Sequence, residues 1–406
     1  MTDSVPATGA DPDRRAMRNV VVLAFANAVL GSQLAMNAVV AGYAGERLAP
    51  DPAFATLPLS ILVLGSLFST PVVSLFMGRY GRRAGFLVGA LAGGSGSAVS
   101  AYALFSDSFE LFLLGAVLLG IYQATQGFLR FAAADTGTES FKPKAISWVF
   151  AGGLLSALIG PEIPDLTSAW FPEAPYAGAY LAAIGLNVVG ALGLVWLDIP
   201  QPKRAAGAVA SGRPLAVIVR QPAFIVAALA GMVGFASMSL VMTSTPLAME
   251  DHGFMTHHAA DVVRWHILAM FAPSFFTGSI IARFGRLPVI AVGLLILGAC
   301  GAIAATGVEL HHFYLALVAL GLGWNFSFIG ATALLSTTHT PAERAKVQGL
   351  NDFLVLGLVA VASFSSGALL DSFGWNAVQY AMAPALVAAL LGLGWLRFAS
   401  RAVRTG

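Results

Sequence analysis

The sequence contains very little charge for its length. Asp, Glu, Lys and Arg make up 10% of its 406 residues, while 57% are hydrophobic. A water-soluble domain carries about 25% charged residues, and so few charges could not cover so much apolar surface in water. The net charge of +2 offers no strong attraction for nucleic acid. The composition therefore predicts a protein embedded in a lipid bilayer, with no nucleic-acid partner.

Residues that could form a disulfide or hold a metal are also scarce. Cys300 is the only cysteine and lies in an apolar run, which excludes an intrachain disulfide and argues against a metal–thiolate site. His252, His257 and His258 lie close together, but their spacing matches no closed zinc motif. We therefore expect no metal and no cofactor.

Motifs for ATP use and for catalysis are missing as well. The sequence has no phosphate-binding loop of the Gly-x-x-x-x-Gly-Lys-Ser/Thr type, so nothing in it favours ATP as an energy source. It shows no paired nucleophiles or metal ligands of the kind an intramembrane enzyme needs, and no segment long enough for a soluble output domain. We expect that it is not an enzyme; a polytopic membrane enzyme and a non-transporting membrane sensor remain the alternative classes.

The sequence is rich in long apolar runs. A helix needs ~20 apolar residues to span a bilayer, and twelve such runs can be counted. They lie at 19–43, 54–77, 84–105, 109–133, 145–170 and 175–198 in the first half, and at 221–247, 259–282, 286–308, 311–337, 345–371 and 375–397 in the second. The expected parts are a tail at 1–18, a six-helix bundle at 19–198, a basic linker at 199–220, a second six-helix bundle at 221–398 and a tail at 399–406.

The positions of the cations predict the orientation of these helices. Of the 22 Lys and Arg residues, all but Arg47, Arg130 and Arg264 fall in the tails, the linker or the loops on the same side of the membrane. Loops rich in Lys and Arg stay in the cytoplasm. Both tails and the linker are therefore expected to be cytoplasmic. We expect a monomer in a bacterial inner membrane.

A short basic phrase occurs once in each half of the chain. The segment from Gly78 to Arg83 lies between two apolar runs, and the segment from Ala282 to Arg286 does the same 204 positions later. A repeat at half the chain length indicates that one bundle of helices is present twice. The residues that match between the copies or extend them are Arg79, Gly81, Arg82 and Arg83, and Arg283, Gly285 and Arg286.

The phrase, the repeat and the helix count resemble the major facilitator superfamily of secondary transporters. The loop between helices 2 and 3 of that family carries Gly-x-Leu-Ala-Asp-Arg-x-Gly-Arg-Arg, and its Asp pairs across the bundle interface. Here Gly78 and Ala282 take the place of the Asp, and Ser74 that of the first Gly. The resemblance implies an all-α fold of two rocking six-helix bundles, with the matching residues as gates. Topogenic charge alone is the alternative role for the arginines.

The resemblance also implies a central cavity lined by helices 1, 4, 7 and 10. Polar residues occur on three of these helices, and polar groups in a bilayer must turn toward partners or water. Interhelical amide bonding is the alternative. The expected substrate-binding residues are Gln33 and Asn37 on helix 1, Gln123 and Gln126 on helix 4, and Trp324 and Asn325 on helix 10.

Three ionisable residues within apolar runs are candidates for proton coupling. Asp352 lies about two turns inside helix 11, His266 begins helix 8, and Arg130 lies within helix 4. An intramembrane ionisable group is a candidate functional site by default. The structural alternatives are a local ion pair for Asp352, an interfacial position for His266, and pairing of Arg130 with Asp135.

Together these features predict a secondary transporter that moves a small organic molecule by alternating access. Proton-coupled export of a metabolite or drug is the first expectation, weakly supported by Ser156-x-x-x-Gly160-Pro161, which partly resembles an antiporter motif of the family. Proton-coupled uptake of a nutrient or cofactor is the alternative. The expected partners are the small organic substrate, protons and the lipid bilayer.

The predicted orientation can be tested by cysteine labelling. In a Cys300→Ser background, a cysteine in place of Gly207 in the basic linker should react with a membrane-impermeant maleimide only after cells are opened. Labelling of that cysteine in intact cells would contradict the orientation.

Overall fold

The computed structural model describes residues 12–51, 54–200 and 212–405, and the side chains of all of these except 12, 256 and 399–405. Within these residues the regular structure is entirely helical. The helices are α1 (Pro12–Leu48), α2 (Leu57–Tyr80), α3 (Arg82–Phe105), α4 (Phe109–Gly127), α5 (Leu129–Ala133), α6 (Lys142–Ile159), α7 (Glu162–Thr167), α8 (Ala177–Leu194), α9 (Leu215–Ile218), α10 (Pro222–Asp251), α11 (Thr256–Phe271), α12 (Ser274–Phe284), α13 (Arg286–Ala305), α14 (Leu310–Leu335) and α15 (Arg344–Thr405).

These helices account for the expected membrane spans once the breaks are considered. In the described part of the chain, nine helices are long and apolar enough to cross a bilayer, and the bent pair α11 and α12 makes a tenth. The helix α15 has 62 residues and contains a non-helical residue, Gly374 at φ 77°, between the two spans expected there. The breaks before α7 and α12 coincide with Pro161 and Pro273, because proline lacks the N–H that continues a helix. The all-α fold is confirmed, and the described helices fit twelve spans when α15 is divided at Gly374 and α6 and α7 are taken together as one broken span.

The bounds differ from expectation at the tails and in the linker. Helix α1 begins at Pro12, so 12–18 is helical, and α15 runs to Thr405 through most of the expected C-terminal tail. The linker contains the short helix α9 near its end, and its residues 201–211 lie outside the described part of the chain. Polar and basic residues continue these helices beyond the apolar runs. The spans predicted from hydropathy alone are therefore shorter than the helices.

The helices form two bundles, α1–α8 and α10–α15, that touch mainly along two helix pairs. One pair is α2 with α15, and the other is α6 with α12. Small residues allow both close approaches. A Cβ added to Gly78 would lie 2.7 Å from the Cβ of Ala345, and one added to Gly278 would lie 2.4 Å from the Pro143 carbonyl oxygen. The two contacts occupy equivalent places in the two halves of the sequence.

The repeated basic phrase adopts the same backbone conformation in both halves. Gly81 has φ 92° and ψ 161°, and Gly285 has φ 89° and ψ 164°. A positive φ is strained for residues with a Cβ and is available to glycine. Each glycine ends one helix and begins the next, so the sequence repeat is also a structural repeat.

The contact between α2 and α15 can be tested by cross-linking. Cysteines at Gly78 and Ala345 should form a disulfide. A Cβ at position 78 would lie 2.7 Å from the Cβ of Ala345, and a small outward shift of the helices would bring this distance to the ~3.5–4.5 Å of a disulfide. The linked peptides would be measured by mass spectrometry in a Cys300→Ser background. A control with cysteines at Gly298 and Ala345 should not cross-link, because a Cβ at Gly298 meets no other atom within 4 Å. Equal cross-linking of the two variants would contradict the contact.

Candidate functional site

A cavity of about 740 Å³ lies between the two bundles. Its walls come from α1, α4, α5, α6 and the start of α7 in the first bundle and from α10, α11 and α14 in the second. It extends from Glu162 and Arg264 near one face of the protein to Arg130 deep between the bundles. Ligand pockets for drug-sized molecules have volumes of ~300–1,000 Å³. The cavity can therefore hold one small organic molecule.

Five aromatic side chains form the deep part of the cavity, which we call the aromatic floor. Trp324 and Phe328 stack on each other, with ring centroids 5.2 Å apart and planes 18° apart. Phe150, Phe235 and Phe271 meet Trp324 edge-on at centroid distances of 5.8, 5.7 and 6.0 Å. Aromatic rings favour stacked and edge-to-face contacts with other rings. The floor is thus suited to a flat aromatic ligand.

Polar atoms without hydrogen-bond partners lie in the aromatic floor and in the cavity-lining residues beside it. Among the described residues, no partner is found for either amide atom of Gln126, for Nε1 of Trp324 or for Nε of Arg130, and all four atoms are buried. A buried polar atom without a partner costs ~1–3 kcal/mol. A ligand that supplied partners would recover this free energy, so these atoms are candidates for substrate recognition.

The inner end of the cavity is closed by an ion pair between the bundles. Arg130 of α5 donates from Nη2 to Asp352 of α15 at 2.5 Å, and both side chains are less than a tenth exposed. Arg130 also donates from Nη1 to the Gly127 carbonyl at 2.9 Å and lies 4.7 Å from the ring centroid of Phe328. Asn351 donates to Asp352 at 2.9 Å. Charges buried this deeply require partners, and the opposite charge that each of these two side chains meets belongs to the other bundle.

A second buried network seals the same end of the interface. The carboxylate of Asp135, with its side chain 6% exposed, accepts from Arg82 of α3 at 2.8 Å and pairs with Arg344 of α15 at 3.0 Å. Arg82 also donates to Gln348 of α15, and Ser74 of α2 donates to the Ala345 carbonyl at 2.6 Å. Asp135 therefore supplies the carboxylate that the basic phrase lacks.

Comparison with known proteins identifies the family. The sequence matches the profile of the Major Facilitator Superfamily over residues 21–272 and 262–405. The chain belongs to the Major Facilitator Superfamily. It is a multi-pass membrane transporter, not an enzyme.

Relatives and solved structures within this superfamily cover nearly the whole chain. The chain is 42% identical to the riboflavin transporter RfnT of Brucella anthropi, over 93% of this chain and 95% of that one. It is 28% identical to the uncharacterised transporter YddS of Bacillus subtilis, over 87% and 84% of the two chains. Its fold is similar to that of FucP, a superfamily transporter, with a TM-score of 0.78, 16% identity, and coverage of 94% and 99%.

The gating residues expected from the superfamily resemblance do not all reach the interface. Arg82 is buried in the network with Asp135. Arg286 lies 3.8 Å from Glu139, which is 70% exposed, so this second contact is weak. The other arginines are exposed: Arg79 and Arg283 lie over the neighbouring rings of Tyr80 and Phe284, and Arg83 faces outward at the start of α3.

Two expected binding residues are used inside the first bundle. Gln33 donates to Ser97 at 2.7 Å and accepts from Asn187 at 2.6 Å. Asn37 accepts from Tyr180 at 3.0 Å. Neither contributes to the walls of the large cavity, because their amides join helices within one bundle.

Asn325, Gln123 and His266 are likewise outside the cavity walls. The Asn325 amide donates to Ser274 at 2.6 Å and accepts from Thr277 at 2.7 Å, inside the second bundle. Nδ1 of His266 lies 2.9 Å from the Leu317 carbonyl oxygen, between α11 and α14. Of the substrate-binding and proton-coupling candidates, the structure brings Gln126, Trp324 and Arg130 to the cavity, with Asp352 paired to Arg130.

The phenylalanines of the aromatic floor were not among the expected site residues. The chain contains 27 Phe, and an apolar ring in a membrane helix gives no sign of whether it faces lipid or a cavity. The available signal was position: Phe235 lies on helix 7 and Phe328 on helix 10, two of the helices that the resemblance places around the cavity.

Both ends of the linker are fastened to the bundles. At its start, Asp198 accepts from Arg18 at 2.7 Å, and its backbone N–H donates to Asn19 at 3.0 Å. At its end, the buried Glu343 accepts from Nη2 of Arg213 at 2.8 Å. Hydrogen bonds from Arg213 hold the pKa of Glu343 well below its usual range. Because that pKa is depressed, this contact is lost only as the pH falls far below neutrality.

The pair formed by Arg130 and Asp352 predicts a specific pattern of stabilities. Arg130→Met or Asp352→Leu alone should destabilise the protein by ~3–5 kcal/mol, because either change leaves an unpaired buried charge. The double variant should be close to wild type in stability, because it removes both charges. The measurement is the temperature at which half of the purified protein remains monodisperse. Arg264→Met is the control, since Arg264 pairs with Asp261 while 66% exposed and such pairs contribute less than about 1 kcal/mol. Single variants as stable as this control would contradict the prediction.

Proposed function

We propose that this transporter carries riboflavin, or a flavin closely similar to it, into the cell. The observation that carries the proposal is the 42% identity to a riboflavin transporter over 93% of the chain. The cavity supports it independently, because its volume of about 740 Å³ suits one drug-sized ligand and its floor is aromatic. Flavins contain a flat fused ring system that can stack on such a surface.

The proposal adopts the second of the two expectations from the sequence, uptake of a nutrient or cofactor. Export of a metabolite or drug was the first expectation, and its sequence support came from Ser156, Gly160 and Pro161. The structure offers a packing role for two of these residues: a Cβ at Gly160 would lie 2.5 Å from Ala35, and Ser156 lies against Gly31 of α1. Close packing of α1 against the end of α6 explains the small residues without antiport.

The orientation predicted by the cations makes the sealed end of the interface cytoplasmic. The networks of Asp135 and Asp352 lie on that side, and the cavity extends away from it toward Arg264, whose side chain is 66% exposed. In this orientation the conformation is open toward the outside and ready to receive substrate. Release inside the cell would require the two networks to separate, as alternating access demands.

Protons are the proposed coupling ion, and Asp352 is the proposed carrier. A proton on Asp352 would remove the charge that attracts Arg130 across the bundle interface, where the carboxylate and guanidinium are 2.5 Å apart. Loss of this attraction favours separation of α5 from α15 at the inner end of the cavity. The inward-open state would then release both substrate and proton. We propose that the transporter works as a monomer in the bacterial inner membrane, since the cavity lies within one chain.

Reconstituted vesicles test both substrate and coupling. With the outside acidic, wild-type protein should accumulate riboflavin several-fold above protein-free vesicles, measured by flavin fluorescence after filtration. Asp352→Asn should lose this accumulation and keep the exchange of internal for external riboflavin, because it mimics the protonated side chain in all states. Asp261→Asn, which changes a carboxylate in an exposed ion pair, is the matched control and should behave as wild type.

Two results would contradict the proposal in different ways. Wild-type vesicles that neither accumulate nor exchange riboflavin would overturn the assigned substrate. Full accumulation by Asp352→Asn would leave the substrate in place and remove Asp352 as the proton carrier.

A further inference from the structure

The unpartnered atoms at the aromatic floor have a definite hydrogen-bonding character. Nε1 of Trp324 and Nε of Arg130 can only donate, and the amide of Gln126 offers one donor nitrogen and one acceptor oxygen. The other two nitrogens of the Arg130 guanidinium each donate one hydrogen bond, to Asp352 and to the Gly127 carbonyl. The residues at the floor therefore hold unpartnered donors on three side chains and an unpartnered acceptor on one, and all four atoms are buried in this conformation.

A complementary ligand edge must be rich in acceptors and carry one donor. The pyrimidine end of the flavin ring system has this composition: the carbonyls at C2 and C4, the nitrogen N1 and the nitrogen N5 of the adjoining ring accept, and N3–H donates. N3–H and the C4 carbonyl lie side by side. A primary amide can bond to such a pair through both of its atoms at once, as Asn and Gln do with the edge of adenine.

We propose that Gln126 selects the substrate by pairing with the N3–H and the adjacent carbonyl of the flavin ring, while Trp324 and Arg130 donate to its remaining acceptors. This inference rests on the proposed function and adds which edge of the substrate is recognised. Gln126 lies on α4, and Trp324 lies on α14. A ring held in this way contacts both bundles, so its binding is sensitive to their relative position.

The location of Gln126 fits this role better than a role in packing. Its side chain lines the cavity, and neither amide atom bonds to a neighbouring helix among the described residues. The amides of Gln33 and Asn325 show the contrast, since each is fully engaged with neighbours inside one bundle. The amide atoms of Gln126 are covered in the present conformation, so the proposed pairing requires the side chain to rotate toward the ligand when it binds.

A cycle that combines protein variants with a modified ligand tests the pairing. Riboflavin and 3-methylriboflavin, in which a methyl group replaces the N3 hydrogen, would be titrated with purified protein and followed by flavin fluorescence anisotropy. Methylation should weaken binding to wild type about tenfold or more, because it removes the donor and leaves the Gln126 oxygen unpaired. Gln126→Leu should bind riboflavin about tenfold more weakly, and methylation should then have little further effect.

Two further variants locate the effect. Gln123→Leu is the matched control, because Gln123 lies on the same helix and outside the cavity walls, and it should respond to both ligands as wild type does. Trp324→Phe keeps an aromatic ring and removes the N–H, so it should weaken both ligands by a similar factor. If Gln126→Leu is not recovered as folded protein, Gln126→Ala takes its place.

The outcomes separate this inference from the proposed function. Folded wild-type protein that binds no riboflavin would overturn both. Wild type that binds riboflavin, with the same methylation penalty as Gln126→Leu, would overturn the pairing alone. A methylation penalty present in wild type and in Gln123→Leu but absent in Gln126→Leu is the result that the inference requires.

Discussion

The contact between Arg130 and Asp352 is the interaction on which the arrangement of the two bundles depends. It places opposite charges at the meeting point of α5 and α15, where an uncompensated charge would be very costly. The same guanidinium lies against Phe328, so the pair also positions one ring of the aromatic floor. The inner boundary of the cavity, its aromatic surface and the closure of the interface are therefore linked through one side chain. Any event that neutralises Asp352 acts on all three.

The two contacts between the bundles differ in physical character although they arise from a sequence repeat. Along α2 and α15 the contact combines close packing at Gly78 with buried ion pairs around Asp135. Along α6 and α12 it combines packing at Gly278 with uncharged hydrogen bonds, in which Ser147 donates to the Ser274 carbonyl and accepts from the Gly278 N–H, and Trp148 donates to the Phe275 carbonyl. Protonation or salt can act on the first contact more strongly than on the second. The two contacts therefore share the same close packing of helices, but only the contact between α2 and α15 adds buried ion pairs to it.

The sequence predicted the helices and the repeat well because both depend on local patterns. Apolar length identifies a span, and Gly81 and Gly285 mark equivalent turns. The partners of the buried charges could not be predicted in this way. Pairing of Arg130 with the nearby Asp135 was the structural alternative considered from the sequence. Arg130 instead pairs with Asp352, and Asp135 pairs with Arg82 and Arg344. Periodicity within one helix shows which residues share a face but not which helix that face meets. The same limit explains why Gln126 lines the cavity and Asn325 does not.

The fastened ends of the linker determine how the covalent connection behaves. Asp198 is held to the start of α1, and Arg213 is held to Glu343 beside α15. The 14 residues between these anchors have a maximum contour of about 50 Å at ~3.5 Å per residue. This length is the upper limit that the covalent connection sets on the distance between the two anchors. The covalent connection therefore maintains a high effective concentration of each half near the other, even when the contacts between the bundles separate.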